Sequence, residues 1–477
     1  MPLDDKCSWS AAMGSGRYDL RMSSLRAGAA VVDITPPVGG PMDGYGGRFE
    51  GSQGVHDALM ARVVVIEQAG EEGGASPAPT RVAIVSCDLL GMHREITTRL
   101  RERASALGVA PEGVLVATTH NHAGPHGLRG GMFSRLNEDL AAALVDKVSA
   151  AIAEAVSALR PATPSVRKAY VDSVSMNRRD PAWPIDPIMR LALLDGEDGP
   201  VASILNFACH GTVLSGKNMM LSGEFPGAAS RLLLEQTGAP CVYLNGACGN
   251  VNPVWVKQDF DSVQRVGQVI GGQALRMIGE MRTLVPGQRV HNIRWDEFPE
   301  KPVPGRVVEP HLRAVREEIE LPVRPFATDE AYAGQSSDLE AETAPLPEGL
   351  PERREVMAQL SRVQNERWAA AWARQRGETS QQTELQAISL GEGLALLALP
   401  GEFFVETGEK IRRVAAGAGM SDLFLACYAN DYIGYVVPAE AYEQGGYEPG
   451  VTFCPPEAEA AVIEASTRLL QRVATGE

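Results

Sequence analysis

Short apolar runs alternate with helical patterns along this chain, and this alternation limits the fold more than any other feature. The runs span four to seven residues and contain few polar positions. Strands of this kind are typical of sheets that are covered on both faces. The predicted strands are Arg62–Glu67, Arg81–Cys87, Val114–Thr118, Val201–Phe207, Cys241–Leu244, Leu394–Leu399 and Leu423–Cys427.

The segments between these strands carry the periodicity of amphipathic helices. In the clearest of them, six aliphatic residues recur every four positions from Leu136 to Val156. The alternation predicts an α/β fold with a mixed central sheet and flanking helices. The other predicted helices are Arg94–Leu107, Ala228–Gln236, Ser262–Met281, Glu406–Ala415 and Glu457–Val473.

Residues 283–390 differ from the rest of the chain. Two strand-like pieces, Arg289–Phe298 and Glu317–Val323, precede a stretch rich in Pro, Glu and Ser, and a polar helix follows at Glu352–Arg374. We interpret 283–390 as an inserted lobe that packs on the main domain, with a surface loop near 327–350.

The N-terminal segment lacks a contiguous apolar core, so it does not form a secretory signal. We expect residues 1–22 to be a disordered leader, with Met22 as a plausible true first residue. Residues 23–477 are then expected to form a single domain.

The formal net charge of −16 disfavours nucleic acid as a partner, because phosphate binding needs clustered Lys and Arg. No window approaches the roughly 20 apolar residues of a membrane span. The seven cysteines include no CxxC pair, and most lie in apolar runs, which indicates reduced, buried thiols. We therefore predict a cytoplasmic protein without stable membrane insertion; a homo-oligomer is left open.

Three of the eight histidines, His120, His122 and His126, fall within seven residues directly after the strand Val114–Thr118. Proteins of the α/β class place their sites at the carboxyl ends of strands, and neutral imidazole is a common ligand of transition metals. We interpret this segment as part of a metal site. The alternative is a polar loop that holds histidines by chance.

Four other strands also end in polar residues. His210 follows the strand Val201–Phe207 and is a second candidate ligand, although a lone histidine there would more often belong to the core. Glu402 follows a strand and a Pro-Gly pair, and by itself it is better explained as a turn residue. Asp88 either orients a ligand histidine or caps a helix. The tyrosine-rich loop 428–435 is of a kind usually found in packing or at interfaces.

A glycine-rich turn, 245–253, follows the strand Cys241–Leu244. Its backbone N–H groups could hold an anion. It lacks the GKS or GKT ending of a Walker motif and the serine of GxSxG.

Taken together, these segments resemble the neutral (non-lysosomal) ceramidase family, and they occur in the family's order from about residue 26 to 450. The matching motifs are Ala27-Gly28-Ala29 with Asp33-Ile34-Thr35-Pro36 and Gly44-Tyr45, then Thr119-His120-Asn121-His122-Ala123-Gly124-Pro125, Asn177-Arg178-Arg179, Cys209-His210-Gly211-Thr212, Ser222-Gly223-Glu224, Pro400-Gly401-Glu402, and Asn430-Asp431-Tyr432-Ile433-Gly434-Tyr435 with Tyr447-Glu448.

The resemblance implies a catalytic domain of the neutral ceramidase type, with 283–390 as its inserted lobe. It also implies a zinc ion and a surrounding set of substrate-facing residues. The implied zinc ligands are His120, His210, Glu402 and Tyr435, and the residues implied to face the substrate's amide are His122, Arg178 and Tyr447.

The chain departs from the family in the glycine-rich turn, where Asn252 stands in place of a serine. A carboxamide nitrogen is a very poor nucleophile, so we expect no covalent acyl-enzyme. Asn252, together with Asn250, is then expected to bind substrate, or Asn252 only shapes the turn. We also expect no C-terminal immunoglobulin-like domain after Tyr447, although the resemblance would imply one.

We therefore expect a zinc-dependent hydrolase that cleaves an amide bond of a small soluble substrate with zinc-activated water. His122 would serve as general base or acid, Tyr435 and Tyr447 would stabilise the oxyanion, and Arg178 would hold a substrate carbonyl or carboxylate. Three alternatives stay open: an ester or lactone hydrolase, an amide-forming biosynthetic enzyme, and a zinc-binding protein that binds a ligand without catalysis.

Overall fold

The computed structural model of this chain leaves two predicted features outside its described part, the leader 1–22 and the strand piece Arg289–Phe298. Nothing in the structure therefore tests either of them. The structure describes residues 25–48, 50–70, 79–130, 133–283 and 305–476.

Twenty strands form in the described residues, and the seven predicted from apolar runs are confirmed, with ends that shift by at most two residues. The strands are β1 (Leu25–Asp33), β2 (Gly54–Val55), β3 (Met60–Gln68), β4 (Thr80–Cys87), β5 (Val114–Thr118), β6 (Arg160–Pro161), β7 (Thr163–Tyr170), β8 (Ser175–Asn177), β9 (Ile188–Gly196), β10 (Gly199–Phe207), β11 (Met220–Leu221), β12 (Cys241–Asn245), β13 (Val251–Pro253), β14 (Arg306–Val307), β15 (Pro310–Pro322), β16 (Ser380–Gly391), β17 (Leu394–Ala398), β18 (Glu402–Phe403), β19 (Asp422–Ala426) and β20 (Tyr435–Val436).

Ten α-helices form in the same residues, and all of the predicted helices are among them. They are α1 (Arg94–Ser105), α2 (Glu138–Ser157), α3 (Glu224–Thr237), α4 (Phe260–Thr283), α5 (Asp329–Thr343), α6 (Pro351–Arg376), α7 (Val405–Gly417), α8 (Ala439–Gln444), α9 (Tyr447–Val451) and α10 (Ala458–Thr475). No helix in the described ranges is long and apolar enough to cross a membrane.

The predicted surface loop near 327–350 is wrong, because α5 occupies most of it. The helix begins after Thr328, whose side chain caps it by accepting a hydrogen bond from the backbone N–H of Ala331 at 3.2 Å. Arg367 of α6 then donates two hydrogen bonds of 2.8 Å to Asp329 at the start of α5. Since α5 has almost no apolar periodicity, its capping residue was the one local signal that the sequence offered.

The α/β class and the mixed strand pairing are confirmed, and the pairing is distributed over three main sheets. The sheets have the strand orders β5-β4-β3-β1-β6, β12-β10-β9-β7-β14 and β15-β16-β17-β19. Each sheet is antiparallel except for one parallel pair at an edge, namely β4 with β5, β10 with β12, and β17 with β19.

One face of every main sheet contributes to a shared central core. Ile84, Ile204 and Leu396, one from each sheet, are fully buried there. The opposite faces are covered by helices: α1 and α2 on the first sheet, α3 and α4 on the second, and α7 and α10 on the third. Because side chains alternate across a strand, burial of both faces explains why the predicted strands are continuously apolar.

Close packing of α2 on β1 generates a prediction about Gly28. A Cβ atom at Gly28 would lie 2.1 Å from the backbone oxygen of Ala155 in α2. We expect Gly28→Ala to lower the free energy of unfolding by about 2 kcal/mol or more, because backbone rather than a flexible side chain must move. Urea unfolding measures the change.

The matched control is Gly272→Ala in α4. A Cβ atom at Gly272 meets nothing within 4 Å beyond its own helix, so this variant should gain about 0.5–1 kcal/mol from helix propensity. A Gly28→Ala protein as stable as the wild type would contradict the packing described here.

Candidate metal centre

The carboxyl ends of the parallel-paired strands meet on one side of the shared core. An isolated parallel bridge pairs Asn121, after β5, with Gly211, after β10. Ala117 in β5 pairs with Ala429, which follows β19. The packing of three separate sheets therefore brings polar residues that are distant in sequence to one place.

Glu402 and Tyr435 reach this place on two short strands of their own. Glu402 opens β18 and Tyr435 opens β20, and the two residues are direct partners in a parallel register. Both residues are buried. The resemblance implied both as ligands, and the structure puts them side by side.

Backbone carbonyl groups set the orientation of the two candidate histidine ligands. Nδ1 of His120 donates to the oxygen of Leu90 at 2.8 Å, and Nδ1 of His210 donates to the oxygen of Cys248 at 2.7 Å. A carbonyl oxygen accepts but cannot donate, so Nδ1 carries the proton in both rings. Each ring consequently turns its Nε2 atom toward the site.

The carboxylate of Glu402 faces the Nε2 atoms of both histidines. Its Oε2 lies 3.4 Å from Nε2 of His120 and 3.2 Å from Nε2 of His210, while its Oε1 accepts a hydrogen bond from the hydroxyl of Tyr432. Burial alone would raise the pKa of Glu402, but the two histidines hold it well below its ordinary value. Burial, reinforced by the charge of Arg178, lowers the pKa of His210 to about 4.

Near neutral pH this arrangement leaves the carboxylate ionised and His210 neutral. Two imidazole nitrogens therefore lie within 3.4 Å of one carboxylate oxygen. Two histidines with one carboxylate form a common ligand set for zinc. The residues present therefore fit a zinc ion.

His122 lies beside this set. Its Nε2 is 3.3 Å from Nε2 of His120, and the ring nitrogens of His120, His122 and His210 all lie within 4.8 Å of one another. Its Nδ1 is buried and has no hydrogen-bond partner in the described part of the chain. Burial, followed by the charges of the other two histidines, lowers the pKa of His122 well below its ordinary value. The ring is thus neutral, and it is placed to act either as a third ligand or as a proton acceptor.

Arg178 connects the candidate ligand Tyr435 to the mouth of the site. Its Nη2 donates to the hydroxyl oxygen of Tyr435 at 2.9 Å, and its Nε donates to Glu448 at 2.7 Å. The guanidinium carbon lies 5.7 Å from the ring centre of Tyr447. Tyr447 is 52% exposed, so it lies where a substrate would enter.

The two asparagines of the glycine-rich turn have different surroundings. Asn252 is half-buried, and its Oδ1 lies 3.5 Å from Nη1 of Arg178. Asn250 is fully buried; its Oδ1 accepts from the backbone N–H of Val405 at 3.0 Å and its Nδ2 donates to Glu406 at 2.9 Å. Both polar atoms of the Asn250 side chain thus bond to residues at the start of α7, and the substrate contact that we expected for Asn250 stays a prediction.

Backbone strain collects around these residues. Among the described residues, four that are not glycine have a positive φ: His120 at 57°, Glu224 at 56°, Tyr428 at 58° and Asn430 at 65°. Such conformations are uncommon outside glycine and persist where the surrounding structure enforces them. The ring of Tyr428 stacks on that of His120 at 3.9 Å, which helps to hold the histidine in place.

Two other sequence expectations are corrected. Asp88 neither orients a histidine nor caps a helix, because it is buried against Arg62, which donates to it at 2.8 Å, and against the backbone N–H of Met60. His126 stands outside the group of three histidines, and its Nδ1 lies 3.4 Å from Asp43.

Sequence reasoning assigned no role to several residues that surround the site. Tyr432 holds Glu402 and lay within a quoted motif, so its position was the available signal. Arg129 forms two hydrogen bonds of 2.7 and 2.6 Å with Asp43, and its charge lies 5.4 Å from the ring centre of Tyr432. No local pattern marks the Asp43–Arg129 pair, because the two residues are distant in sequence.

Comparisons with known proteins show which family and which fold this chain resembles. The model of the family described as neutral/alkaline non-lysosomal ceramidase, N-terminal, matches residues 25–251. A neutral ceramidase of Mycobacterium tuberculosis is 24% identical over 90% of this chain and 74% of its own length, and one of Pseudomonas aeruginosa is 25% identical over 91% and 70%. The crystal structure of neutral ceramidase from Pseudomonas aeruginosa has a TM-score of 0.71 at 22% identity, covering 95% of this chain and 75% of that one. The predicted resemblance is confirmed.

Glu224 is a buried acidic residue that holds the segment following His210. It accepts hydrogen bonds from the backbone N–H groups of Leu214 at 2.7 Å and Phe225 at 3.2 Å, and so ties the segment after His210 to α3. Burial outweighs these bonds and raises the pKa of Glu224 to about 7. The folded protein thus binds this proton more tightly than the unfolded chain does.

The stabilisation from this proton should be fully present below pH 4.5, the ordinary pKa of a glutamate, and lost as the pH rises through about 7. Loss of this stabilisation should lower the free energy of unfolding by about 3 kcal/mol as the pH rises across that range. We expect Glu224→Gln to remove this part of the pH dependence. Urea unfolding at several pH values gives the difference curve. Glu235→Gln, an exposed position of the same helix, should parallel the wild type. A Glu224→Gln curve that also parallels the wild type would contradict the raised pKa.

Proposed function

We propose that this chain, a relative of the neutral/alkaline non-lysosomal ceramidases, is a zinc-dependent hydrolase that cleaves an amide bond in a small soluble substrate. The observation that carries the proposal is the convergence of three donor groups, with Nε2 of His120 and Nε2 of His210 at 3.4 Å and 3.2 Å from one carboxylate oxygen of Glu402. The relatives that match most of the chain are named neutral ceramidases, which favours amide hydrolysis over other reactions of a zinc site.

His120, His210 and Glu402 would hold the metal, with Tyr435 or His122 completing the set. Both Tyr435 and His122 lie next to the three donors. When bound, zinc supplies polarisation of the substrate carbonyl and a lowered pKa for water at the open position.

The chain's own residues would position the substrate and move its protons. Arg178 donates to the hydroxyl oxygen of Tyr435, so the proton of that hydroxyl remains available for an oxyanion. His122 is neutral and can accept a proton from the attacking water at one of its ring nitrogens. Tyr447, at the mouth, can donate a hydrogen bond to the reacting amide.

Asn252 would act on the substrate through its amide rather than as a nucleophile. Its Oδ1 faces Arg178, which leaves the Nδ2 group as its donor toward a substrate carbonyl. The turn from Asn245 to Pro253 contains no Ser or Thr, so no neighbouring hydroxyl replaces the missing one. Water is therefore the proposed nucleophile, and no acyl-enzyme is proposed.

The metal assignment predicts the zinc content of three variants. Purified wild-type protein should hold about one zinc per chain. His120→Ala and His210→Ala should each lose stoichiometric zinc, since each removes one of few ligands. Elemental analysis after dialysis measures the content, and His126→Ala, outside the group, should keep its zinc.

The same measurement assigns His122. If it is the proton acceptor, His122→Ala keeps zinc and loses turnover on the order of 10²–10⁴-fold; if zinc is lost in parallel, His122 is a ligand. Full zinc in both His120→Ala and His210→Ala would show that the site is misplaced.

The absence of a nucleophilic side chain predicts the course of the reaction. A single turnover in ¹⁸O-labelled water should place the label in the product acid, and mass spectrometry should find no acyl adduct. Long-chain ceramide should be a poor substrate beside small N-acyl amides. A panel that includes esters and lactones tests the ester alternative directly.

Two results would overturn this mechanism. One is an acyl adduct on any residue. The other is ceramide cleavage as efficient as that of the best small amide. If the zinc-loaded wild type turns over none of the amides and esters in the panel, a protein that binds a ligand without catalysis is favoured.

A further inference from the structure

We propose that Arg48 recognises a carboxylate on the substrate, so that the chain acts on amides that carry a single carboxylate group, such as N-acyl amino acids. This inference rests on the proposed function and names the class of substrate for the same site. Sequence analysis assigned no role to Arg48.

Arg48 is attached to the segment that carries His122. Its Nη1 donates to the backbone oxygens of Asp43 and His122, both at 3.0 Å. Its guanidinium carbon lies 5.0 Å from the ring centre of Tyr45, and that ring in turn meets the ring of His122 edge-on at 5.0 Å. The cation is therefore held against the loop of the candidate metal centre.

The other side of the guanidinium has no partner. Its Nε and Nη2 are buried, and neither makes a hydrogen bond to any part of the chain that the structure describes. The N–H groups on Nε and Nη2 point in the same direction, and together they form the edge with which arginine binds a carboxylate through two parallel hydrogen bonds. Leaving buried N–H donors without an acceptor costs free energy. A bound oxyanion would supply the missing acceptor for both donors of this edge.

Arg48 also lacks an ion pair of its own in the described part of the chain, and the nearby charge of Asp43 that favours its charged form is already paired with Arg129. The neighbouring guanidinium groups are paired, Arg129 with Asp43 and both Arg178 and Arg179 with Glu448. No carboxylate in the described ranges forms an ion pair with Arg48, whose pKa is lowered because burial disfavours its charge. One unpaired positive charge matches one carboxylate better than a doubly charged phosphate.

Arg178 is less suited to this role, although the sequence suggested it for a carbonyl or a carboxylate. The equivalent edge of Arg178 is already in use, since its Nε donates to Glu448 and its Nη2 donates to Tyr435. Nη1 donates one N–H to Asn252 at 3.5 Å, which leaves its second N–H, and a single donor suits a carbonyl oxygen. The two arginines would thus bind different groups of one substrate.

The experiment compares N-octanoylglycine with N-octanoylglycinamide on the full-length, zinc-loaded protein, following release of octanoate. The two compounds differ only in the charge of the terminal group. The wild type should prefer the carboxylate in kcat/KM by a factor on the order of 10 to 100. Arg48→Gln should abolish this preference, mainly by raising KM for N-octanoylglycine, while its kcat/KM for the amide changes by less than about threefold.

Two further variants separate charge from geometry. Arg48→Lys keeps the charge without the two-donor edge and should fall between the wild type and Arg48→Gln; it also serves if Arg48→Gln does not fold. Arg135→Gln removes a charge at an exposed position and should leave the preference intact. If Arg48→Gln and Arg48→Lys each lower kcat/KM equally for both compounds, the role of Arg48 is structural and the proposal is overturned.

Failure of the proposed function gives a different result. If neither compound is cleaved, the hydrolase proposal fails, and binding of the two compounds by isothermal titration then tests Arg48 alone. Preferential binding of N-octanoylglycine that is lost in Arg48→Gln would support carboxylate recognition. Equal affinities for the two compounds in the wild type, or a wild type that prefers the amide in turnover, would overturn it.

Discussion

Burial of three sheet faces in one shared core is the interaction on which the rest of this structure depends. Each main sheet contributes alternate side chains of its strands to that core, and helices cover the opposite faces. Because the three inner faces are packed against one another, the sheets cannot move independently. Each sheet has its parallel pair at an edge, and the carboxyl ends of these pairs meet in one place. The candidate metal centre is a consequence of that packing, since its donors come from different sheets.

The core also holds together the donor groups of the candidate metal centre. Nε2 of His120 and Nε2 of His210 lie 3.4 Å and 3.2 Å from one carboxylate oxygen of Glu402. Hydrogen bonds to the carbonyls of Leu90 and Cys248 prevent the rings from turning away. The left-handed backbone at His120 is a strained conformation of the kind that surrounding structure must enforce. Because these side chains are already held in place, binding a metal does not require a further loss of their conformational entropy.

Sequence patterns predicted the buried strands and the amphipathic helices well, because both faces of these strands and one face of these helices are apolar. They failed where long-range contacts replace apolar burial. The first half of β16 is polar, yet it is a strand because its backbone pairs in antiparallel register with β15. Glu384 there also accepts a hydrogen bond of 2.8 Å from Arg101 of α1. Helix α5 lacks apolar periodicity and is held by its cap and by Arg367. At the site, the His120 segment was predicted from its position after a strand, whereas Glu402 and Tyr435 became candidate ligands only through the resemblance. The burial of Asn250 against Glu406 was not predicted at all.

By itself, the sequence determined which segments form strands and helices and which residues with metal-binding side chains follow the strands. These properties depend on residues that are neighbours along the chain, and periodicity reports them directly. Only the tertiary structure decided that the strands divide among three sheets. It also decided that Nε2 of His122 lies 3.3 Å from Nε2 of His120, and that Nε and Nη2 of Arg48 have no hydrogen-bond partner in the described residues. The physical reason is that hydrogen bonds and ion pairs such as Asp43–Arg129 join residues far apart in the chain. No local pattern specifies such partners, because they are chosen by the packing of the whole core.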